Sequence, residues 1–160
     1  MNKAQVLEQI IAVLNADLAT LKTAVNVAHE AATDTENIAQ NRYDTLAVEA
    51  AYLAHGQAKR AEDIEVALRN YTTIAPDTLS PQGQAVINSL IQLEDPQGDQ
   101  RWLWLGNDAG GLTFYFAGEA MTVITPQAPL GAAMLGKEEG EVIELSINGT
   151  KTDYEIIQIR

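Results

Sequence analysis

Apolar residues near the start of the chain recur at alternating steps of four and three: Leu7, Ile11, Leu14, Leu18, Leu21, Val25 and Ala28. This is the a/d spacing of a heptad seam, and one such helix cannot bury its seam alone. A second stretch with the same spacing follows in Ala47, Ala51, Ala54, Ala58, Ala61, Ile64 and Leu68, where small residues permit close helix approach. Between them, Thr33 to Thr45 is polar and rich in Asp, Thr and Asn, which form local caps and turns. The pattern predicts an antiparallel helical hairpin whose arms, at about 1.5 Å per residue over roughly 30 residues, are about 45 Å long.

The pattern changes after Ala75. Apart from Gly56, every glycine and all five prolines lie beyond that point. Short apolar or alternating runs there predict strands over 85–93, 101–105, 112–116, 121–124, 141–147 and 153–159. The last two flank Asn148-Gly149, a pair suited to the positive φ angles of a tight hairpin turn. A short helix is predicted over 128–137, with Pro129 near its start and Gly136 at its end. The fold class is therefore α+β: an N-terminal antiparallel coiled-coil hairpin over 1–75, a linker over 76–84, and a small antiparallel sheet domain with one short helix over 85–160.

Composition narrows the functional classes. With 10 Lys+Arg against 22 Asp+Glu the formal charge is −12, so autonomous DNA or RNA binding is not expected. The acids are spread over both parts, and no basic stripe interrupts them. Zero cysteines exclude disulfides, thiolate metal sites and a cysteine nucleophile. No run approaches the roughly 18 consecutive apolar residues typical of a spanning helix, so no membrane association is expected. The first eight residues lack the unbroken apolar core of a secretory signal, and a cytoplasmic monomer is expected. Trp102 and Trp104, with Phe114 and Phe116, lie at strand spacing and read as sheet core in preference to a base-stacking platform, because only Arg101 is basic nearby. His29 and His55 have no second ligand at metal spacing.

The stretch from Val123 to Leu145, VITPQAPLGAAMLGKEEGEVIEL, resembles the C-terminal signature of the bacterial Gre transcription elongation factors. It is followed, as theirs is, by Asn148-Gly149 and the strand Tyr154 to Ile159. Arg60 to Leu68 resembles the closing turns of their coiled coil. The resemblance implies an FKBP-like sheet domain that docks on RNA polymerase beside its secondary channel, with the coiled coil entering that channel. Pro126, Pro129, Leu130, Gly131, Gly136 and Lys137 are the signature residues it assigns to polymerase binding.

In the cleaving members of that family, two acids at the hairpin tip help hold a Mg²⁺ ion in the polymerase active site. The resemblance thus implies no cofactor or catalytic residue belonging to this chain, only a Mg²⁺ shared with the polymerase. Their tip motif has the form G-D-L-x-E-N-A-E-Y. Counting back from Arg60 without gaps sets Ala39 to Ala47 against it, which puts Gln40 and Tyr43 at the two acid positions. The acids near the tip are Asp34, Glu36, Asp44 and Glu49, and only Asp44 lies beside the two matched positions. The expected function is modulation of elongation or stimulation of transcript cleavage by the polymerase, the alternative being a non-cleaving, inhibitory regulator. Two rivals come from other classes: a prolyl isomerase of the FKBP type, and a coiled-coil module with a different partner.

Overall fold

The computed structural model describes residues 2–33, 45–75, 83–147 and 149–160. Two helices come first, α1 over Lys3–Thr33 and α2 over Thr45–Thr72. Asn2 caps α1: its side-chain oxygen accepts the Ala4 amide at 2.9 Å, and its carbonyl accepts the Val6 amide at 3.1 Å. At the other end of α2, the Asn70 carbonyl accepts both the amide and the hydroxyl of Thr73, which closes the helix. By packing, the chain divides into one unit over Ile11–Arg69 and another made of Met1–Ile10 with Asn70–Arg160.

In the first unit Leu14, Ile64 and Ala67 are buried, and the seam positions Leu18, Leu21, Val25, Ala54 and Ala61 are half-buried. Lys22 pairs with Glu65 at 2.8 Å, while Val25 and Asn26 share a groove with Ala58, Ala61 and Glu62. As residue numbers rise on α1 they fall on α2, so the expected antiparallel hairpin is the one observed. Over Lys3–Val27, α1 reaches a mean hydropathy of 1.4 and is long and apolar enough, by length and composition, to cross a membrane. Its buried side chains, Val6, Leu7, Ile10 and Leu14, nevertheless follow helical spacing along one stripe, the pattern of a helix packed on protein.

The second unit is built on six strands: β1 Ser89–Glu94, β2 Gln100–Leu105, β3 Thr113–Phe116, β4 Glu119–Ile124, β5 Val142–Ile147 and β6 Thr150–Ile159. Their order in the sheet is β3-β4-β2-β1-β6-β5. Four neighbouring pairs are antiparallel, and the β2–β4 pair is parallel. The sheet is therefore mixed where the sequence pattern predicts an antiparallel one. The reason is that β3 takes the edge and β4 folds back into the space beside β2, a choice of neighbour that strand periodicity does not encode. The short helix α3, Pro129–Met134, follows β4.

One face of the sheet carries Ile91, Leu93, Leu103, Leu105, Ile143, Leu145, Ile156 and Ile159, packed with Met134 of α3 and with Ala85. Ile156 and Ile159 are three apart, yet both join this core because the register of β6 against β1 shifts between Gln92 and Leu93. The opposite face carries Leu90, Trp102, Trp104, Phe114, Met121 and Val123, all buried. Tyr71, near the end of α2, lies against this face: its hydroxyl donates to the Asp108 carbonyl at 2.8 Å, and its ring end and Trp104 both crowd Gly106. A side chain at position 106 would collide with Tyr71. Asn70 also reaches Asp108, donating to its carboxylate at 2.8 Å.

The β3–β4 hairpin turns through Ala117 and Gly118, with φ of 53° and 86°. Two successive positive φ angles are the mark of a type I′ turn, and an Ala in the left-handed region costs about 1 kcal/mol or more. Replacing Ala117 by Asn or Gly is expected to stabilise the protein by up to about 1 kcal/mol, read as a higher urea midpoint with an unchanged m value. A lower midpoint in both variants would show that the turn is not strained.

Candidate partner-binding surfaces

The acids expected at the hairpin tip divide in two. Asp34, Glu36 and Asp44 lie outside the described residues, as do Gln40 and Tyr43. Glu49 sits in the second turn of α2 with its side chain exposed. Among the described residues no group of three His, Asp or Glu side chains comes together in a way that could hold a metal ion.

The signature segment after β4 can be followed atom by atom. The Thr125 carbonyl accepts the Ala128 amide at 2.9 Å, and Pro129 opens α3 at a position where its missing N–H costs nothing. Gly131 is buried against the Thr125 carbonyl so closely that a Cβ there would overlap the carbonyl oxygen. Leu130 packs on the core, and Met134 lies within it. Gly136 then turns the chain with φ of 77°, and its amide donates to the Ala85 carbonyl at 2.8 Å, while the Ala85 amide returns to the Lys137 carbonyl at 2.7 Å. Gln84 adds a bond from its side-chain amide to the Gly136 carbonyl at 3.0 Å.

The Lys137 ammonium pairs with Glu141 at 2.8 Å, and the other Glu141 oxygen accepts the Glu138 amide at 2.6 Å. Together these hold the Glu141 carboxyl below its ordinary range, the Lys137 hydrogen bond contributing most. Glu139 accepts the Ile159 amide at 2.6 Å. The six signature residues are thus brought into one segment, with Leu130 and Gly131 turned to packing, Pro126 and Lys137 half-buried, and Pro129 and Gly136 exposed. Sequence reading missed the outward row of α3, where Pro129, Ala132 and Leu135 are all exposed. Helical spacing could have found it, because Leu130 and Met134 fix the inward side.

Several cations among the described residues are held by neighbours. Arg101 lies over the Tyr154 ring at 4.7 Å and Arg160 over Trp102 at 5.7 Å, while Lys22 and Lys59 pair with acids on the hairpin. The burial of Trp102, Trp104 and Phe114 makes them core, as their spacing predicts. A second feature that sequence reading missed is on α2, where Val48, Ala51, Tyr52 and His55 line a groove of about 400 Å³.

Among the described residues, then, several cations are paired, the signature segment is locked into the core, and α2 and α3 each carry exposed apolar side chains. Residues 116–160 match the family model for the C-terminal part of the transcription elongation factors GreA/GreB. Transcription elongation factor GreA of Alkalilimnicola ehrlichii is 25% identical over 103 residues, 63% of this chain and 61% of that protein. GreA of Nitratidesulfovibrio vulgaris is 31% identical over 103 residues, 63% of this chain and 58% of that protein. This chain thus matches less than two thirds of the length of these relatives. Among solved structures, GreA factor homolog 1 (Gfh1) of Thermus thermophilus aligns over 94% of both chains with 17% identity and a TM-score of 0.39. A GreA/GreB protein from Nitrosomonas europaea aligns over 62% of this chain and 78% of its own, with 23% identity and a TM-score of 0.36. Over residues 116–160 the chain is similar to the C-terminal part of the GreA/GreB family.

Two outcomes test the packing of the signature. Gly131→Ala drives a methyl into a backbone carbonyl and should cost about 1–3 kcal/mol in urea unfolding, whereas Ala132→Ser on the exposed side should cost little. The depressed Glu141 carboxyl stabilises the folded state at pH values above the ordinary carboxylate value of 4.5, and that contribution is lost as pH falls through its lower folded value. Glu141→Gln should therefore lower the melting temperature at neutral pH and narrow the gap to wild type in acid. A gap that stays constant down to pH 2 would refute the linkage.

Proposed function

We propose that this protein binds bacterial RNA polymerase, places its helical hairpin in the secondary channel and modulates elongation there without stimulating transcript cleavage. It works in the cytoplasm and brings no active site of its own. The observation that carries this reading is the match of residues 116–160 to the C-terminal part of GreA/GreB on a chain whose preceding elements form a helical hairpin. The chain's −12 charge and its paired cations favour a protein partner over a bare phosphate backbone.

The non-cleaving part of the reading rests on the tip sequence. Mg²⁺ is a hard ion that prefers carboxylate oxygens, and a second metal assists phosphoryl chemistry by steadying the attacking and leaving oxygens. An ungapped count back from Arg60 sets Gln40 and Tyr43 against the two positions where the resembled motif of the cleaving members has acids. Both side chains are neutral at pH 7, so a metal held there would lose two anionic ligands.

Co-migration with core polymerase tests the binding, and absence of co-migration would end this reading. On a stalled elongation complex, wild type is expected to leave the rate of transcript cleavage unchanged. The double substitution Gln40→Asp with Tyr43→Glu is expected to raise it. Cleavage stimulated by wild type and abolished by Ala at Asp34, Glu36, Asp44 or Glu49 would overturn the non-cleaving assignment and identify the acid responsible.

A further inference from the structure

The sheet ends in two edge strands, β3 on one side and β5 on the other. Along β3 the alternation of the ladder fixes which backbone groups are used. The Val123 amide donates to the Leu112 carbonyl at 2.8 Å, so Phe114 with Met121 and Phe116 with Glu119 are the hydrogen-bonded pairs that follow. Thr113 and Tyr115 therefore turn their N–H and C=O groups away from the sheet, where no described residue meets them. Tyr115 is 73% exposed and Thr113 is exposed, while Phe114 between them is buried. The strand, Thr-Phe-Tyr-Phe, holds neither a charge nor a proline, the usual devices that blunt an edge against a second chain.

The β5 edge is blunted. The Ile156 amide donates to the Glu141 carbonyl, and the same alternation leaves Val142, Glu144 and Ser146 with outward backbone groups. Pairing β5 antiparallel with its own copy over that length sets Glu144 opposite the partner's Glu144, a like-charge contact next to Asp153, which already faces Glu144 on β6. Pairing β3 with its own copy meets no such obstacle. The antiparallel register centred on Phe114 uses every outward group: Thr113 lies opposite the partner's Tyr115 and Tyr115 opposite the partner's Thr113. An aromatic ring beside a β-branched side chain is a favourable cross-strand pair. We infer that β3 is the contact through which two copies of this chain associate into a closed two-fold dimer, where the sequence alone suggests a monomer. An edge of 4 residues buries far less than the roughly 1,200 Å² of a stable interface, so the dimer forms only at high concentration. The −12 charge on each chain opposes it further, and salt relieves that opposition.

Sedimentation equilibrium of the full chain from about 10 μM to about 1 mM tests this. The mass is expected to rise from one chain toward two, and to rise further at the same concentration when salt is added. Tyr115→Lys places a charge on the edge, and Tyr115→Pro removes an outward N–H without touching the internal ladder. Both are expected to move association to about tenfold higher concentration or more. Ser146→Pro, the same change at the β5 edge, is expected to leave it unchanged. Emission from the buried Trp102 and Trp104 reports whether each variant keeps the sheet. In wild type, hydrogen exchange at the Thr113 and Tyr115 amides should slow as concentration rises, while exchange at Val142 and Ser146 should not. A mass of one chain throughout would overturn the inference, as would association that survives both Tyr115 variants. Growth past two chains would overturn it too, since an open array requires the second edge.

Discussion

Strand β2 has no polar face in its buried part. Trp102 and Trp104 point to one side of the sheet and Leu103 and Leu105 to the other, and all four are buried. A strand at the centre of a six-stranded sheet with two apolar faces requires cover on both, and burial of side chains this large is worth roughly 1.5–3 kcal/mol each. On the leucine side the cover is α3, through Leu130, Ala133 and Met134, together with Ala85 and Ile87 before β1. On the tryptophan side it includes Tyr71, at the end of α2. This explains why packing assigns Met1–Ile10 and the chain from Asn70 onward to the sheet: Val6, Leu7, Ile10 and Tyr71 are apolar surface that the sheet unit retains. Gly106 follows from the same constraint, since the Tyr71 hydroxyl occupies the space a side chain would need.

The elements themselves were legible because each has a local period. All six strands fall within a few residues of their apolar runs, and the hairpin follows its heptad steps. Three features were not legible, and each is non-local. The parallel β2–β4 pair depends on where β3 goes, and the register shift in β6 depends on its partner. The assignment of Tyr71 to the sheet depends on a loop more than 30 residues later, at Asp108. A periodic seam reports that a face is buried, but not what buries it.

For the candidate surfaces, resemblance and structure emphasise different residues of one segment. The signature is recognisable because its residues satisfy strict geometry: a proline at the first position of α3, a glycine pressed on a carbonyl, and a left-handed glycine whose amide bridges to Ala85. Such requirements fix residue types whatever the segment binds. Pro129, Ala132 and Leu135 carry fewer constraints from packing, so the pattern that identifies the fold is not the pattern that faces outward. The hairpin shows the same separation. Its seam is visible in the sequence because it holds the helices together, while the groove at Tyr52 is set apart only by the absence of charges.

The acidic balance also acquires a location. Lys22 meets Glu65 across the hairpin and Lys59 meets Glu62 and Asp63 along α2, so the charged residues here shield the later part of that helix. Exposed pairs of this kind add little stability, and salt screens them. Their effect is on recognition: they keep that surface hydrated and indifferent to apolar partners. Where they stop, before Ala58, the helix passes from a surface that water satisfies to one that it does not.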